Sequence, residues 1–253
     1  MPPNPSPSND SAPAISVVVP VRNEAGNIAP LIDEIAAALA SRPFEIVYVN
    51  DGSSDATEAE LRGLMAARPY LRQIRHEISC GQSAAIRTGV AAARGAIAVT
   101  IDGDGQNDPA FIPALVAALE AGSPRIGLIA GQRTGRKASG FKKLQSRIAN
   151  AVRKAVLEDG TRDTGCGLKA FRRDTFLALP YFDGLHRFLP ALIRREGFDV
   201  GYADVVDRPR RHGVSNYGFF DRLWVGILDL AGVWWLIRRR QRVPQSEEIT
   251  RAH

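Results

Sequence analysis

Cysteine is nearly absent from this chain of 253 residues, and the sequence has no long apolar run. Two cysteines are too few for a disulfide framework, so they exclude a small disulfide-stapled domain and suit a reducing compartment. No apolar run reaches the ~20 residues that a membrane-spanning helix needs. Residues 1–14 are rich in proline, serine and asparagine without an apolar centre, which predicts a disordered tail rather than a signal peptide.

Aromatic residues are also scarce, at 7% of the chain. The net charge of +6 and the pI near 9.7 favour polyanionic partners, namely nucleic acid, phosphorylated substrates or an anionic membrane face. Nucleic-acid sites interleave basic residues with base-stacking aromatics, and that pattern is missing. We therefore expect a phosphorylated or membrane-bound ligand and no nucleic acid.

Short apolar segments alternate with amphipathic segments in the first half of the chain. This alternation predicts an α/β fold with a mostly parallel, Rossmann-like sheet and helices on both faces. The second half is less regular. Strands are predicted at residues 15–20, 44–49, 71–74, 96–101, 126–130 and 199–206, with a short strand or bend at 165–171. Helices are predicted at residues 27–39, 55–64, 81–93, 109–121, 141–157 and 185–195, with Asn27 and either Ser54 or Asp55 as N-caps.

The most informative segment is Asp102-Gly103-Asp104-Gly105-Gln106, which follows the apolar run 96–101. The carboxyl ends of parallel strands form the crevice that holds ligands in open α/β sheets. Two carboxylates and an amide oxygen form a set of hard oxygen ligands that suits Mg²⁺ or Mn²⁺ beside a bound phosphate. The alternative is a polar turn without a ligand, because aspartate and glycine are common in turns.

Two more polar turns follow predicted strands, at residues 20–24 and 50–53. If the sheet is parallel, all three turns converge on one crevice. Asp51 is placed there to accept hydrogen bonds from a ribose or a base. Together with a metal beside Asp102 and Asp104, this arrangement suggests a nucleotide diphosphate that carries a transferable group.

These segments resemble glycosyltransferase family 2, with its GT-A type nucleotide-diphospho-sugar transferase fold, over roughly residues 15–220. Further segments resemble its polyprenyl-phosphate branch, typified by dolichol-phosphate mannosyltransferase. The segments that carry the resemblance are Val18-Val19-Pro20, Asn23-Glu24, Val49-Asn50-Asp51-Gly52-Ser53 with Asp55, Asp102-Gly103-Asp104-Gly105-Gln106 with Pro109, Gly131-Gln132-Arg133, Asp163-Thr164-Gly165-Cys166-Gly167-Leu168-Lys169, and Arg210-Arg211-His212-Gly213-Val214-Ser215-Asn216-Tyr217.

The resemblance implies a role for each matching residue. It implies catalytic roles for Asp102, Asp104 and Arg133, and a metal site at Asp102, Asp104 and Gln106. The implied donor-nucleotide residues are Pro20, Val21, Asn23, Glu24, Asp51, Gln82 and Asp102. The implied acceptor-phosphate residues are Arg133, Lys142 and Ser146, with Arg210 and Ser215 closing over the site.

Two positions depart from the family pattern. Lys142 stands where relatives usually carry arginine, so a point charge replaces a bidentate phosphate fork. Asn50 replaces the first aspartate of the common Asp-Asp-Gly sequence, which weakens the inference about the base and leaves Asp51 in place.

The function implied is inverting transfer of a sugar from a UDP- or GDP-sugar to undecaprenyl or dolichyl phosphate, which makes a lipid-linked sugar for cell-envelope glycan or lipid A modification. A phosphate acceptor is already anionic and needs no strong base. A first alternative is a hydroxyl acceptor, a glycan or lipid A sugar, for which Glu158-Asp159 is a candidate base. A second is a non-catalytic nucleotide-sugar-binding adaptor for a membrane partner.

Residues 218–242 are predicted to follow a catalytic domain at 15–217 and to precede a flexible tail at 243–253. The apolar part, 223–237, carries three tryptophans and abuts an arginine cluster, which favours a helix in the lipid headgroup region. Asp229 interrupts this segment, so an ordinary core helix is the alternative. We expect peripheral association with the cytoplasmic face of the inner membrane, with or without an integral membrane partner.

Overall fold

The computed structural model describes residues 12–134, 153, 156–157, 159–209 and 219–239, with side chains in the last range from residue 226 onward. Strands and helices alternate along the chain as the sequence predicts. The strands are β1 (Ile15–Val21), β2 (Phe44–Asp51), β3 (Leu71–His76), β4 (Ile97–Thr100), β5 (Ile126–Arg133), β6 (Lys169–Arg172) and β7 (Asp199–Val205). The helices are α1 (Ile28–Ala38), α2 (Thr57–Met65), α3 (Gln82–Ala92), α4 (Ile112–Ala121), α5 (Arg173–Leu177), α6 (Leu189–Arg195) and α7 (Phe219–Arg238).

The seven strands form one sheet in the order β3-β2-β1-β4-β6-β5-β7. All neighbouring pairs are parallel except those that β6 makes with β4 and β5, which are antiparallel. The prediction of an α/β fold with a mostly parallel sheet is confirmed. Residues 165–171, predicted as a short strand or a bend, lead into the antiparallel strand β6. The sequence pattern did not indicate that β6 lies between β4 and β5.

Helices cover both faces of the sheet because alternate strand residues supply two separate cores. Val17 and Val19 of β1 pack into the cluster formed with α1 and α4, whereas Val18 belongs to the cluster formed with α3, α5 and α6. Strand β2 is buried along its whole length. The strand order reverses at β1, which has β2 on one side and β4 on the other. In open α/β sheets, the ligand crevice lies at the carboxyl ends of the strands at such a reversal.

Local details differ from expectation at several helix ends. Asn27 precedes α1 but makes no capping bond: its backbone is already helical, its amide nitrogen donates to Glu24 Oε2 at 2.8 Å, and its Oδ1 atom has no partner among the described residues. Asp55 lies one residue before the N-cap of α2, and its carboxylate accepts from the backbone of Thr57 at 3.0 Å. Helix α5 was not expected. The predicted helix at residues 141–157 falls largely outside the described residues.

The terminal helix α7 packs against the domain; it lies within the predicted segment 218–242 and extends beyond both ends of its apolar part, 223–237. Val233 is fully buried in the core cluster on the α6 face, and Arg195 Nε donates to the carbonyl of Leu236 at 3.0 Å. Among the described helices, none is long and apolar enough to cross a membrane. The predicted boundary at residue 218 stays a prediction.

Candidate active site

The three polar turns at the ends of β1, β2 and β4 meet, as the sequence predicts. The backbone N–H of Asn23 donates to Ser53 Oγ at 3.0 Å, which joins the first two turns. A Cβ atom at Gly103 would lie 2.3 Å from Val21 Cγ1, so the third turn packs directly on the first. The sheet edge therefore carries one continuous polar crevice.

Consecutive backbone N–H groups after β1 bind side chains that follow β2. Glu24 donates to Thr57 Oγ1 at 3.0 Å, Ala25 to Asp55 Oδ2 at 3.2 Å and Gly26 to Glu60 Oε2 at 2.9 Å. Asn23 has a positive φ of 56°, a strained conformation for a residue with a side chain. These contacts hold the loop in one conformation before any ligand arrives.

Asp51 is buried at the end of β2, and its carboxylate binds four protein donors. Oδ1 accepts from the backbone of Cys80 at 2.8 Å and lies 2.7 Å from His76 Nδ1. Oδ2 accepts from Ser79 Oγ at 2.7 Å and from the backbone of Gly81 at 2.9 Å. Burial alone would raise the pKa of Asp51, but these hydrogen bonds together lower it. Asp51 thus anchors the loop before α3, and its predicted contact with the nucleoside remains untested.

The other predicted donor residues surround the same edge. Pro20 is half-buried in β1, and Val21 is a core residue with 3% exposure. Gln82, the first residue of α3, donates from Nε2 to Asp102 Oδ1 at 2.9 Å, so the structure brings these two predicted residues together. Their roles toward a nucleotide stay predictions.

Asp102 lies two residues after the end of β4, where burial disfavours the charged form of its carboxylate. Loss of solvent, followed by the negative charge of Asp104, raises the pKa of Asp102 to about 6, although Lys169 and Arg133 oppose the rise. The backbone N–H of Gln106 donates to Asp104 Oδ1 at 3.0 Å, which holds this turn closed. A buried carboxylate with the negative charge of a second carboxylate acting on it matches the chemistry of a divalent cation site.

Strand β6 brings to this point a basic residue, Lys169, that belongs to a segment carrying the family resemblance but to which the sequence assigned no role. Lys169 pairs with Thr100 of β4 and is buried beside Asp102, where loss of solvent lowers its pKa. Its ammonium group donates to the carbonyl of Cys166. Gly167 packs so close that a Cβ atom there would lie 2.3 Å from the Asp102 carboxylate. The antiparallel strand thus supplies a cation and closes one side of the crevice.

A cavity of about 590 Å³ opens beside Asp102. Its far wall is formed by the segment before α6 and by α7. His186 in this wall lies 2.7 Å from Ser83 Oγ, and burial, followed by the charges of Lys169 and Arg187, lowers the pKa of His186 to about 3. The lining includes Gln82, Asp102, Lys169, Asp183, Arg187 and Asp229.

Arg133, at the end of β5, lies near the crevice but is engaged by carboxylates. Its guanidinium binds Asp163 through two bonds of 2.5 and 2.9 Å and Asp207 through one of 3.2 Å. Two negative charges therefore already balance it, which reduces the positive charge left for an acceptor phosphate. The remaining predicted acceptor residues, Lys142, Ser146, Arg210 and Ser215, lie outside the described residues.

One cluster of three possible metal ligands other than the predicted set occurs in the described part of the chain. Oxygen, nitrogen and sulphur atoms of Asp51, His76 and Cys80 lie within 4.8 Å of one another. Here, however, His76 already contacts Asp51 and, through Nε2, Thr88 Oγ1 at 3.0 Å. Asp102 and Asp104 fit Mg²⁺ or Mn²⁺ better because both offer hard oxygen ligands and Asp102 lines the cavity.

Fold and crevice together define an α/β protein with its site at the carboxyl edge of a mostly parallel sheet. The family model for glycosyl transferase family 2 matches residues 16–179, across β1 to β6 and the turns described above. The chain therefore belongs to glycosyl transferase family 2, which confirms the resemblance found in its motifs.

Curated relatives cover most of the chain. It is 36% identical to the dodecaprenyl-phosphate galacturonate synthase of Rhizobium johnstonii, over 90% of this chain and 68% of the relative. It is 34% identical to the undecaprenyl-phosphate 4-deoxy-4-formamido-L-arabinose transferase of Edwardsiella ictaluri, over 81% of this chain and 63% of the relative. The chain thus spans about two thirds of the length of these relatives.

Solved structures share the fold. Glucosyl-3-phosphoglycerate synthase from Mycobacterium tuberculosis, in complex with Mn²⁺, UDP-glucose and phosphoglyceric acid, superposes with a TM-score of 0.66 at 22% identity, over 89% of this chain and 79% of that one. Its complex with Mg²⁺ and UDP gives 0.65 at 23% identity, over 92% and 81%. At this identity the likeness supports the GT-A type fold alone.

Proposed function

We propose that this chain transfers a sugar, with inversion, from a nucleotide diphospho-sugar to a polyprenyl phosphate. The observation that carries the proposal is a single cavity that begins at Asp102 on the sheet edge and ends at α7. The outer face of α7 is apolar and ends in arginines, so a site for a charged donor adjoins a surface suited to lipid. The names of both curated relatives describe sugars on polyprenyl phosphates.

Different described residues would bind different parts of the donor. The locked turns after β1 and β2 would receive the nucleoside. Gln82 orients the Asp102 carboxylate through its hydrogen bond, and the buried amino group of Lys169 lies near that carboxylate, where it opposes the rise in the pKa of Asp102. Asp102 and Asp104 would hold Mg²⁺ or Mn²⁺, with Gln106 as the predicted third ligand; the bound ion stabilises negative charge on the departing diphosphate.

The acceptor in this proposal is a phosphate monoester, which is anionic at neutral pH. Catalysis would then rest on holding its oxygen in line with the anomeric carbon rather than on a general base. Arg133 near the crevice, with the predicted acceptor residues Lys142, Ser146, Arg210 and Ser215, would orient that phosphate.

The alternative hydroxyl acceptor requires a carboxylate base; of the candidate pair Glu158-Asp159, Glu158 lies outside the described residues and Asp159 is unsuitable. Asp159 is fully buried and binds Arg153 at 3.1 and 2.5 Å. A carboxylate held in a buried ion pair is poorly placed to take a proton from an acceptor. This observation favours the phosphate acceptor.

Peripheral membrane association is part of the proposal. On α7, the side chains of Leu228, Trp234 and Trp235 are 69%, 40% and 53% exposed. Arg238 lies 4.2 Å from the ring centre of Trp234. Tryptophan and arginine beside exposed aliphatic residues are typical of helices in the headgroup region of the cytoplasmic leaflet. We place the enzyme there, with an integral membrane partner as a possible anchor.

The test is transfer by the purified full chain to undecaprenyl phosphate in lipid vesicles, with a panel of UDP- and GDP-sugars and either Mg²⁺ or Mn²⁺. Lipid-linked sugar, identified by mass spectrometry, is the expected product. Transfer to a free hydroxyl acceptor alone would support the first alternative. Binding of nucleotide sugar without any turnover would support the adaptor alternative.

A further inference from the structure

Asp229 lies in the middle of α7 and faces the cavity rather than the apolar surface. Its neighbour Leu228 is 69% exposed, whereas Val233, about one turn further along, is fully buried in the core. Asp229 lines the cavity with Asp183 and Arg187. The same helix therefore presents apolar side chains outward and a carboxylate inward.

The carboxylate of Asp229 lacks a hydrogen-bond partner among the described residues. Its Oδ2 atom is buried from solvent, and a buried oxygen without a donor costs free energy. A Cβ atom at Gly184 would lie 2.7 Å from this oxygen, and Gly184 has a positive φ of 86°. The backbone there leaves room for the carboxylate without hydrogen-bonding to it, so no described residue satisfies this oxygen, while Asp229 itself lines the cavity.

The charges in the cavity indicate which ligand group belongs at this end. Asp102 and Lys169 mark the end where the diphosphate is proposed to bind. At the other end, Asp183 and Asp229 carry two negative charges against the one positive charge of Arg187, so this end on balance repels an acceptor phosphate. The cavity has the size of an ordinary small-molecule site. The group that suits this end is a neutral hydrogen-bond donor, and sugar hydroxyls are such donors.

We infer that Asp229 accepts a hydrogen bond from a hydroxyl group of the donor sugar and helps to select that sugar. This inference rests on the proposed function, because it assumes that a nucleotide sugar occupies the cavity. It assigns α7 two roles on opposite faces, lipid contact outside and sugar contact inside.

Calorimetric titration of the full chain in the presence of Mn²⁺ tests this inference. The probes are UDP, GDP and a panel of their sugars that includes the epimers UDP-glucose and UDP-galactose. Asp229→Asn is expected to weaken binding of the best-bound nucleotide sugar about tenfold and to leave binding of its nucleoside diphosphate within twofold. Asp229→Ala should have at least as large an effect, and the preference between epimers should shrink.

Asp174→Asn is the matched control, because Asp174 is a highly exposed aspartate on α5 away from the cavity. Asp183→Asn, on the exposed rim of the same wall, is a second variant that should give a smaller loss in the same direction. Thermal unfolding of each variant shows whether it is folded.

Three outcomes would overturn the inference while sparing the proposed function. They are unchanged affinity for nucleotide sugars in folded Asp229 variants, equal weakening of nucleoside diphosphate and nucleotide sugar, and a fall in kcat or a rise in the KM for undecaprenyl phosphate with donor affinity unchanged. Wild-type protein that binds no nucleotide sugar would refute both the inference and the proposed function.

Discussion

The two walls of the crevice differ in how their polar groups are satisfied. On the side of β1 and β2, Asp51 binds four donors of the protein, and the loop after β1 is tied to side chains before and within α2. On the side of α7, Asp229 keeps a buried oxygen without a partner among the described residues. The first wall is therefore organised in advance, whereas the second wall carries a carboxylate oxygen that the described residues leave unsatisfied.

The largest effect is expected at the sheet edge between these walls. Asp104→Asn should lower transfer to undecaprenyl phosphate by about a thousandfold or more, because one carboxylate of the proposed cation site is lost. Lipid-linked sugar formed per minute in vesicles is the measurement. Asp174→Asn serves as the control, and thermal unfolding should show an intact fold in both. Unchanged turnover in Asp104→Asn would contradict the assignment.

The outer face of α7 can be separated from its inner face by point substitutions. The double variant Trp234→Ala and Trp235→Ala should lower partitioning onto anionic vesicles about tenfold or more, with little change in the free energy of unfolding. Val233→Ala should instead leave partitioning unchanged and lower stability by about 1–3 kcal/mol, because Val233 is buried. Vesicle co-sedimentation and urea unfolding measure the two effects.

Removal of the chain after residue 217 is a poor substitute for these variants. It would strip Val233 from the core and Asp229 from the cavity together with the exposed tryptophans. If the double tryptophan variant bound vesicles as well as wild type, the interfacial role of α7 would be wrong.

The close approach of Gly167, two residues before β6, to Asp102 can be tested by substitution, with a second glycine as the matched control. Gly167→Ala should displace the Asp102 carboxylate, lowering transfer and destabilising the fold by about 1–3 kcal/mol, because the new Cβ atom has no room. Gly63→Ala on α2 is the control: nothing lies within 4 Å of its added atom. That change should be neutral or stabilise by up to ~1 kcal/mol. Full activity in Gly167→Ala would argue against a fixed Asp102.

The smallest expected effect is the contribution of His186, in the far wall of the cavity, to the pH dependence of stability. Because the pKa of His186 is lowered to about 3 in the folded chain, unfolded chains bind a proton that folded ones do not between about pH 6.5 and 3. Stability should therefore fall as the pH drops through this window, by up to ~1.4 kcal/mol per pH unit from this residue. His186→Asn should flatten the dependence in urea unfolding between pH 7 and 5. An unchanged slope would mean that His186 does not remain neutral.

Sequence reasoning was most accurate where structure is local. The turns at Asn23, Asp51 and Asp102 follow strands whose apolar runs are visible in the sequence, and a parallel arrangement brings strand ends together. The predictions of helix ends were less accurate: Asn27 was expected to cap α1, but its side chain contacts Glu24 instead. That choice depends on a neighbouring side chain, which a cap pattern does not include.

Residues from distant parts of the chain could not be placed in the same way. Lys169 reaches Asp102 because an antiparallel strand inserts between β4 and β5, and hydrophobic periodicity does not specify strand order. Arg133 binds Asp163 and Asp207 through contacts across loops that the sequence did not indicate, and its role toward a phosphate stays a prediction.

By itself, the sequence determined the alternation of strands and helices, the family, and the polar turns at three strand ends, because each depends on residues that are neighbours in the chain. Tertiary structure alone decided which side chains share the cavity. The physical reason is that Lys169 and Asp229 come to the site through packing, the first by strand pairing and the second by docking of α7 through Val233. Such contacts follow from how surfaces fit together, which no local pattern records.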